Sequence, residues 1–292
     1  MEKPADFSSQ PNRPNPLESP YRPTPTTPPP VVLSLSGSDP SGGAGIEADL
    51  KTFHRHGVYG MAVPTLLTVQ NTTGVRKVRT LEPDFFEEQV AFLLEDLFPS
   101  VIKIGAIGDR RMLQALIRIL SQPRFDGVKV VVDTVLNSTS GSSLFDMRGL
   151  PDFMERLLPR AFLITPNVME FDLLTGKSTT EANAAGHLLA FGRDKPYAIL
   201  LKGGHFPGDP VDFLLHRQTV RNFPGRRIDT PHTHGTGCVL ASAIAANLAL
   251  GYEVGDAVDH ARAFLREAIL TNPGLGSGRG PLNLNAAVQR GA

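Results

Sequence analysis

The chain of 292 residues carries 29 Lys and Arg against 29 Asp and Glu, a formal net charge of zero, and 41% of it is hydrophobic. This is a globular composition without the basic excess by which a general nucleic-acid or acidic-membrane binder holds its partner. No window approaches the ~20 apolar residues that span a bilayer, and the single cysteine, Cys238, excludes an internal disulfide and a cysteine zinc cluster. A small-molecule function in the cytoplasm is expected, with neither nucleic acid nor membrane as partner.

Ten of the 25 prolines fall in residues 1–30. A segment with so few amide donors and so little apolar surface cannot offset its ordering entropy, so a disordered, partly polyproline tail is expected there. Its Pro-x-x-Pro spacings, at Pro11 to Pro14, Pro20 to Pro23 and Pro25 to Pro28, suit aromatic-lined peptide receptors. It has no signal-peptide apolar stretch, and Glu2, Asp6 and Glu18 are foreign to a transit peptide. Residues 31–292 are expected to fold.

There, short β-branched runs alternate with segments of helical period. The runs predict strands at Val31 to Ser36, Ala62 to Val69, Val101 to Ile104, Val128 to Val132, Phe162 to Thr165, Ala198 to Leu201 and Val211 to Leu215. Helices are predicted over Pro83 to Phe98, Arg111 to Leu120, Glu181 to Gly192, Gly235 to Leu250 and Asp256 to Thr271. Strand then helix, repeated, is the pattern of a mainly parallel sheet covered on both faces. In such sheets ligands sit beyond the carboxyl ends of the strands. Polar clusters follow the runs as this requires: Gly37 to Gly45, Gly105, Asp133 to Gly141, Thr165 to Glu170, Gly203 to His205 and His234 to Cys238.

Gly235-Thr-Gly-Cys238 opens an alanine-rich helix. Glycines at a helix start let N–H groups converge on an anion with the helix dipole behind them, which suits a phosphate; the same sequence also serves as a turn into a core helix. Neither the Walker A spacing nor Gly-x-Gly-x-x-Gly occurs. Cys238, in the first turn, is either a dipole-stabilised thiolate able to take a proton from a substrate hydroxyl or a buried inert thiol. His232 and His234 lie nearby but establish no triad. Asp39, after the first strand, suits a substrate hydroxyl or ring as well as a cap or Asx turn. Asn167 and Glu170, three apart, can position hydrated Mg²⁺ beside phosphates or simply cap a helix.

In chain order the clusters resemble the hydroxymethylpyrimidine/phosphomethylpyrimidine kinases of thiamin biosynthesis, members of the ribokinase-like superfamily. The matching stretches are Gly37-Ser-Asp-Pro-Ser-Gly-Gly-Ala-Gly-Ile-Glu-Ala-Asp-Leu-Lys-Thr52, Gly57-Val-Tyr-Gly60 and Gln70-Asn-Thr-Thr-Gly-Val75. Lys103-Ile-Gly105, Asp133-Thr134, Ser140-Gly141, Thr165-Pro-Asn167, Lys202-Gly-Gly-His205 and Thr233-His-Gly-Thr-Gly-Cys238 complete the set. The resemblance implies a single three-layer α/β/α domain with a mainly parallel sheet, cytoplasmic and homodimeric. It implies transfer of the ATP γ-phosphoryl group to 4-amino-5-hydroxymethyl-2-methylpyrimidine and then to its monophosphate. Carried onto this chain, Cys238 would be the general base, with Gly235 and Gly237 in the anion hole. Gly37, Asp39 and Glu47 would meet the pyrimidine, and Lys103 and Gly105 would line the cleft. Asp133, Asn167, Lys202 and Thr236 would serve the nucleotide, and Glu170 would hold Mg²⁺ through water.

Three positions depart from the family pattern. Glu47 stands where Gln is usual, Ala106 where Met packs on the substrate ring, and Thr139 where Lys reaches the ATP phosphates. An ionised Glu47 is acceptor-only and would pair with a protonated aminopyrimidine, so tighter binding at low pH is expected. Pyridoxal kinase, acting on another hydroxymethylated heteroaromatic ring, and a non-catalytic pyrimidine sensor are the alternatives.

Overall fold

Branched aliphatic runs too short for helices and apolar on both faces form the middle of one sheet. The computed structural model describes residues 27–136 and 144–288. Its strands are β1 (Val31–Ser38), β2 (Tyr59–Asn71), β3 (Gly74–Thr80), β4 (Val101–Ile104), β5 (Lys129–Val132), β6 (Leu163–Ile164), β7 (Ala198–Leu201), β8 (Val211–His216) and β9 (Thr219–Pro224). They lie in the order β3-β2-β1-β4-β5-β6-β7-β8-β9. From β2 across to β7 neighbours run parallel; β3 at one edge and β8 and β9 at the other are antiparallel.

Successive strand residues point to opposite faces, and each face is covered by helices. Leu33, Leu35, Ile102, Ile104, Val130 and Val132 pack with α2 (Pro83–Asp96), α3 (Arg110–Leu120), α4 (Leu150–Asp152) and the π turn that follows it, α5 (Val168–Thr175) and α6 (Ala184–Gly192). Val32, Val101, Val131, Leu163 and Leu200 pack with α1 (Gly45–His56), α7 (Thr236–Ala249) and α8 (Val254–Leu270). Ala-rich α7 is buried almost throughout because the sheet, α1 and α8 surround it. The three layers are those the resemblance implies.

Boundaries move for local reasons. Helix α3 starts at Arg110 because the Asp109 side chain accepts the Met112 N–H at 3.0 Å, an N-cap. Helix α6 begins at Ala184, residues 181–183 forming a turn. Helix α1, β3 and β9 are additions to the elements that hydrophobic period predicts. The β8–β9 turn places Arg217 and Gln218 at φ 49° and 62°, a left-handed two-residue hairpin usually marked by Asn-Gly or Asp-Gly. Neither signal is present. Of the proline-rich segment, only residues 27–30 fall within the described residues, as do none of Thr139, Ser140 and Gly141.

Candidate active site

Strand β1 lies between β2 and β4, so the chain winds outward in both directions from it, and the space beyond its carboxyl end is the topological switch point of the sheet. A cleft of about 950 Å³ opens there. Its walls include Gly37 and Asp39 after β1, Ala106 after β4, Asp133 after β5, Asn167 and Glu170 at the start of α5, and Lys202 after β7. Gly235, Thr236, Gly237 and Cys238 close it at the start of α7.

The start of α7 is locked to the β1–α1 loop. Gly235 is its N-cap, at φ 83°, and a Cβ there would lie 1.8 Å from the Gly43 carbonyl oxygen. Only glycine permits both the left-handed conformation and that approach. Beside it, His234 Nε2 donates to Asp39 Oδ2 at 2.7 Å and lies 3.2 Å from the Gln70 amide nitrogen. The first-turn amides of Gly237 and Cys238 have no intrahelical partner and face the helix end. Free amides at a helix start can receive an anion.

Across from these amides, Lys202 Nζ donates to Asp133 Oδ1 at 3.0 Å, and Thr165 Oγ1 donates to the same oxygen at 3.1 Å. Burial would lower the Lys202 ammonium, but the Asp133 and Glu170 carboxylates outweigh it and hold it above its ordinary value. Glu170 and Asn167 form a capping box: Asn167 Oδ1 accepts the Glu170 N–H at 2.9 Å, and Glu170 Oε2 accepts the Asn167 N–H at 2.7 Å. Cap and cleft wall are therefore the same residues. Burial, and the Asp133 charge after it, push the Glu170 carboxyl up against the pull of Lys202.

Several expectations are corrected. Lys103 does not line the cleft: it is fully buried, its Nζ bound to both oxygens of Asp49. Gly105 is buried with it, a Cβ there falling 2.1 Å from Ser36 Oγ and 2.8 Å from Lys103 Nζ. Glu47 does not face the cleft either. Its carboxylate accepts from Ser38 Oγ and from the Asp39 N–H at 2.8 Å, so it braces the loop from behind. The Asp39 carboxylate, 3% exposed, accepts from His234, from the Ala44 N–H at 2.9 Å, and from Ser41 N–H and Oγ. Burial would raise its carboxyl, but these bonds, that from His234 foremost, hold it below the usual aspartate value. The Cys238 thiol lies above its ordinary value and not below it. Burial pushes it up to about 11, and Asp133 and Asp49 add to that against the pull of Lys103.

Gln70, Asp49 and His234 carry no motif of their own that marks them as functional in the sequence, and neither do Arg226, Arg227, Arg262 and Arg266, which line the same cleft as Lys202. No regular spacing connects residues so far apart; they meet only through the sheet order.

The family model described as phosphomethylpyrimidine kinase matches residues 39–283. A hydroxymethylpyrimidine/phosphomethylpyrimidine kinase of Rhizobium meliloti (strain 1021) is 41% identical over 258 residues, 87% of this chain and 96% of that protein. The crystal structure of a phosphomethylpyrimidine kinase from Clostridium difficile 630 is similar with a TM-score of 0.71 at 34% identity, over 82% of this chain and 99% of that one. A Staphylococcus aureus pyridoxal kinase in complex with AMP-PCP gives 0.80 at 28% identity, over 89% and 95%.

Proposed function

The chain belongs to the phosphomethylpyrimidine kinase family, and on that footing we propose that it moves the ATP γ-phosphoryl group to the primary hydroxyl of 4-amino-5-hydroxymethyl-2-methylpyrimidine, and then phosphorylates the monophosphate, in thiamin biosynthesis. The observation that carries this reading is the meeting of the α7 anion hole and Cys238 with Lys202, Asp133 and Glu170 across one cleft. Phosphoryl transfer asks for positioning and charge neutralisation more than for covalent work by the protein. Gly235, Gly237 and the dipole of α7 would hold the transferring group. Lys202, kept charged, would neutralise nucleotide phosphate, with Asn167 and Thr236 beside it. The pyrimidine would rest against Gly37, Ala106 and the loop that Asp39 fixes.

Cys238 would accept the hydroxyl proton at Sγ. With its thiol pushed up to about 11, the thiolate is a minor form of the free chain at neutral pH, and turnover is expected to rise with pH through the mildly alkaline range. Mg²⁺ fits the acidic end of the cleft. The buried Asp133 Oδ2 has no partner among the described residues, and the raised Glu170 carboxyl beside it favours a neighbouring cation. Mg²⁺ beside a nucleotide is commonly carried by one or two carboxylates and by phosphates. Glu170, through water, and Asp133 would hold it. Its chemistry there is neutralisation of phosphate charge.

Pyridoxal is the second reading, favoured by the higher TM-score of the pyridoxal kinase. Identity and the family model favour the pyrimidine. A cytoplasmic homodimer belongs to the proposal through the family; no helix among the described residues is long and apolar enough to cross a membrane. The test is Cys238→Ala, expected to lower turnover about 10²- to 10⁴-fold, the range of a general base, with pyrimidine binding retained by calorimetry. Turnover near that of the parent would remove Cys238 from the base role.

A further inference from the structure

Beneath the cleft floor lies a charge that the transfer does not use directly. Lys103 and Asp49 are fully buried, and Lys103 Nζ donates to Asp49 Oδ2 at 2.8 Å and Oδ1 at 3.0 Å. Ser34 Oγ and Ser242 Oγ donate to the same carboxylate, each at 2.6 Å. Burying two charges is costly, and well-packed aliphatic side chains would serve the fold as well. A cluster of this kind needs a reason beyond stability.

Its position supplies one. Ser242 lies one turn beyond Cys238 on α7, and Asp49 one turn beyond Gly45 on α1, and residues four apart share a helix face. The two helices meet at two levels. At the upper, the Gly45 N–H favours the thiolate of Cys238; in the lower rung, Ser242 Oγ donates to Asp49 at 2.6 Å. Lys103 comes up from β4 onto the lower rung, and its ammonium lies under Gly105, whose missing side chain leaves room for it. The charged groups facing the thiol are Lys103, Asp133, Asp49 and Lys202, and Lys103 acts on it most strongly.

We propose that Lys103 is a positioning residue for the reaction: a buried cation, fixed by Asp49, Ser34 and Ser242, that stabilises the thiolate of Cys238 from below and leaves the cleft free for substrate and nucleotide. The proposal rests on Cys238 as the base. Its logic is that a cation in the wall, such as Lys202, is taken up by phosphate, whereas one beneath the floor acts only through the thiol. Burial also keeps that action strong, since little solvent lies between the charges.

Cys238 is the single cysteine of the chain, so iodoacetamide reads its thiolate without counting turnover. At a fixed pH of about 8.5, Asp49→Asn, which leaves the cation unopposed, is expected to be alkylated about tenfold faster than the parent, and Lys103→Met about tenfold slower, each tenfold being one pKa unit. A residue serving the fold alone would not move the two rates in opposite directions. The double variant Lys103→Met/Asp49→Asn, which leaves no buried charge unpaired, should remain below the parent, because Lys103 outweighs Asp49 at the thiol. Far-ultraviolet circular dichroism establishes which variants are folded. Rates within twofold of the parent in the folded variants, or shifted the same way by both single changes, would overturn the proposal. Opposite shifts together with normal turnover of Cys238→Ala would instead leave the coupling standing and sink the base assignment.

Discussion

At Asp39 a carboxylate that the sequence offers to the substrate is already occupied by His234, Ser41 and Ala44. Its value lies in holding the β1–α1 loop against the start of α7. Because its carboxyl sits below the ordinary aspartate value of 3.8, the stability it contributes is complete above that value and is lost as pH falls through the lowered one. Thermal unfolding of Asp39→Asn against the parent should show a deficit of about 1–3 kcal/mol near neutrality that closes as the solution is acidified. A deficit constant with pH would contradict the assignment. Glu47 is corrected in the same way. Both its oxygens are engaged, by Ser38 and by the Asp39 N–H, and they lie off the cleft lining, so the carboxylate is turned away from a protonated ring. Calorimetric titrations of the pyrimidine with the parent and with Glu47→Gln should give parallel pH profiles; a low-pH gain in the parent alone would restore the direct contact. Residue types and order were legible in the sequence here. Which partner each side chain had taken was not, because Asp39 and His234 meet only after the whole sheet has formed.

The elements were legible where hydrophobic period decided them. Strands β4 and β7, buried on every residue, begin and end where the aliphatic runs do. Strand β3, Gly74–Thr80, carries Arg76, Lys77 and Arg79 and has no buried residue, so its place comes from pairing with β2 and not from burial. The buried Ala48, Asp49, Thr52, Phe53 and His56 of helix α1 share one face; three of the five are polar, which hides the stripe from a count of apolar residues. Two glycines separate constraint from tolerance at this scale. Gly235→Ala must force a Cβ into the Gly43 carbonyl at φ 83° and should cost about 1–3 kcal/mol or more and much of the turnover. Gly186, inside α6 with nothing within 4 Å of a Cβ, should accept Ala with a gain of about 0.5–1 kcal/mol. Denaturant midpoints of the two variants should move in opposite directions, and a stabilised Gly235→Ala would refute the locked junction.

Across the whole molecule, a chain without net charge gathers local charge around one cleft: the start of α7, Lys202, the arginines Arg226, Arg227, Arg262 and Arg266, and the carboxylates of Asp133 and Glu170. Fold alone does not choose the acceptor, since pyridoxal and phosphomethylpyrimidine kinases share these layers. The family model and the identity to the hydroxymethylpyrimidine/phosphomethylpyrimidine kinases favour the pyrimidine. The most direct measurement is ADP release from ATP and Mg²⁺ with the hydroxymethylpyrimidine, its monophosphate or pyridoxal as the acceptor. ADP formation with both pyrimidines, at a kcat/KM at least about tenfold above that for pyridoxal, is the result expected; release with pyridoxal alone, or with none of the three, would contradict it.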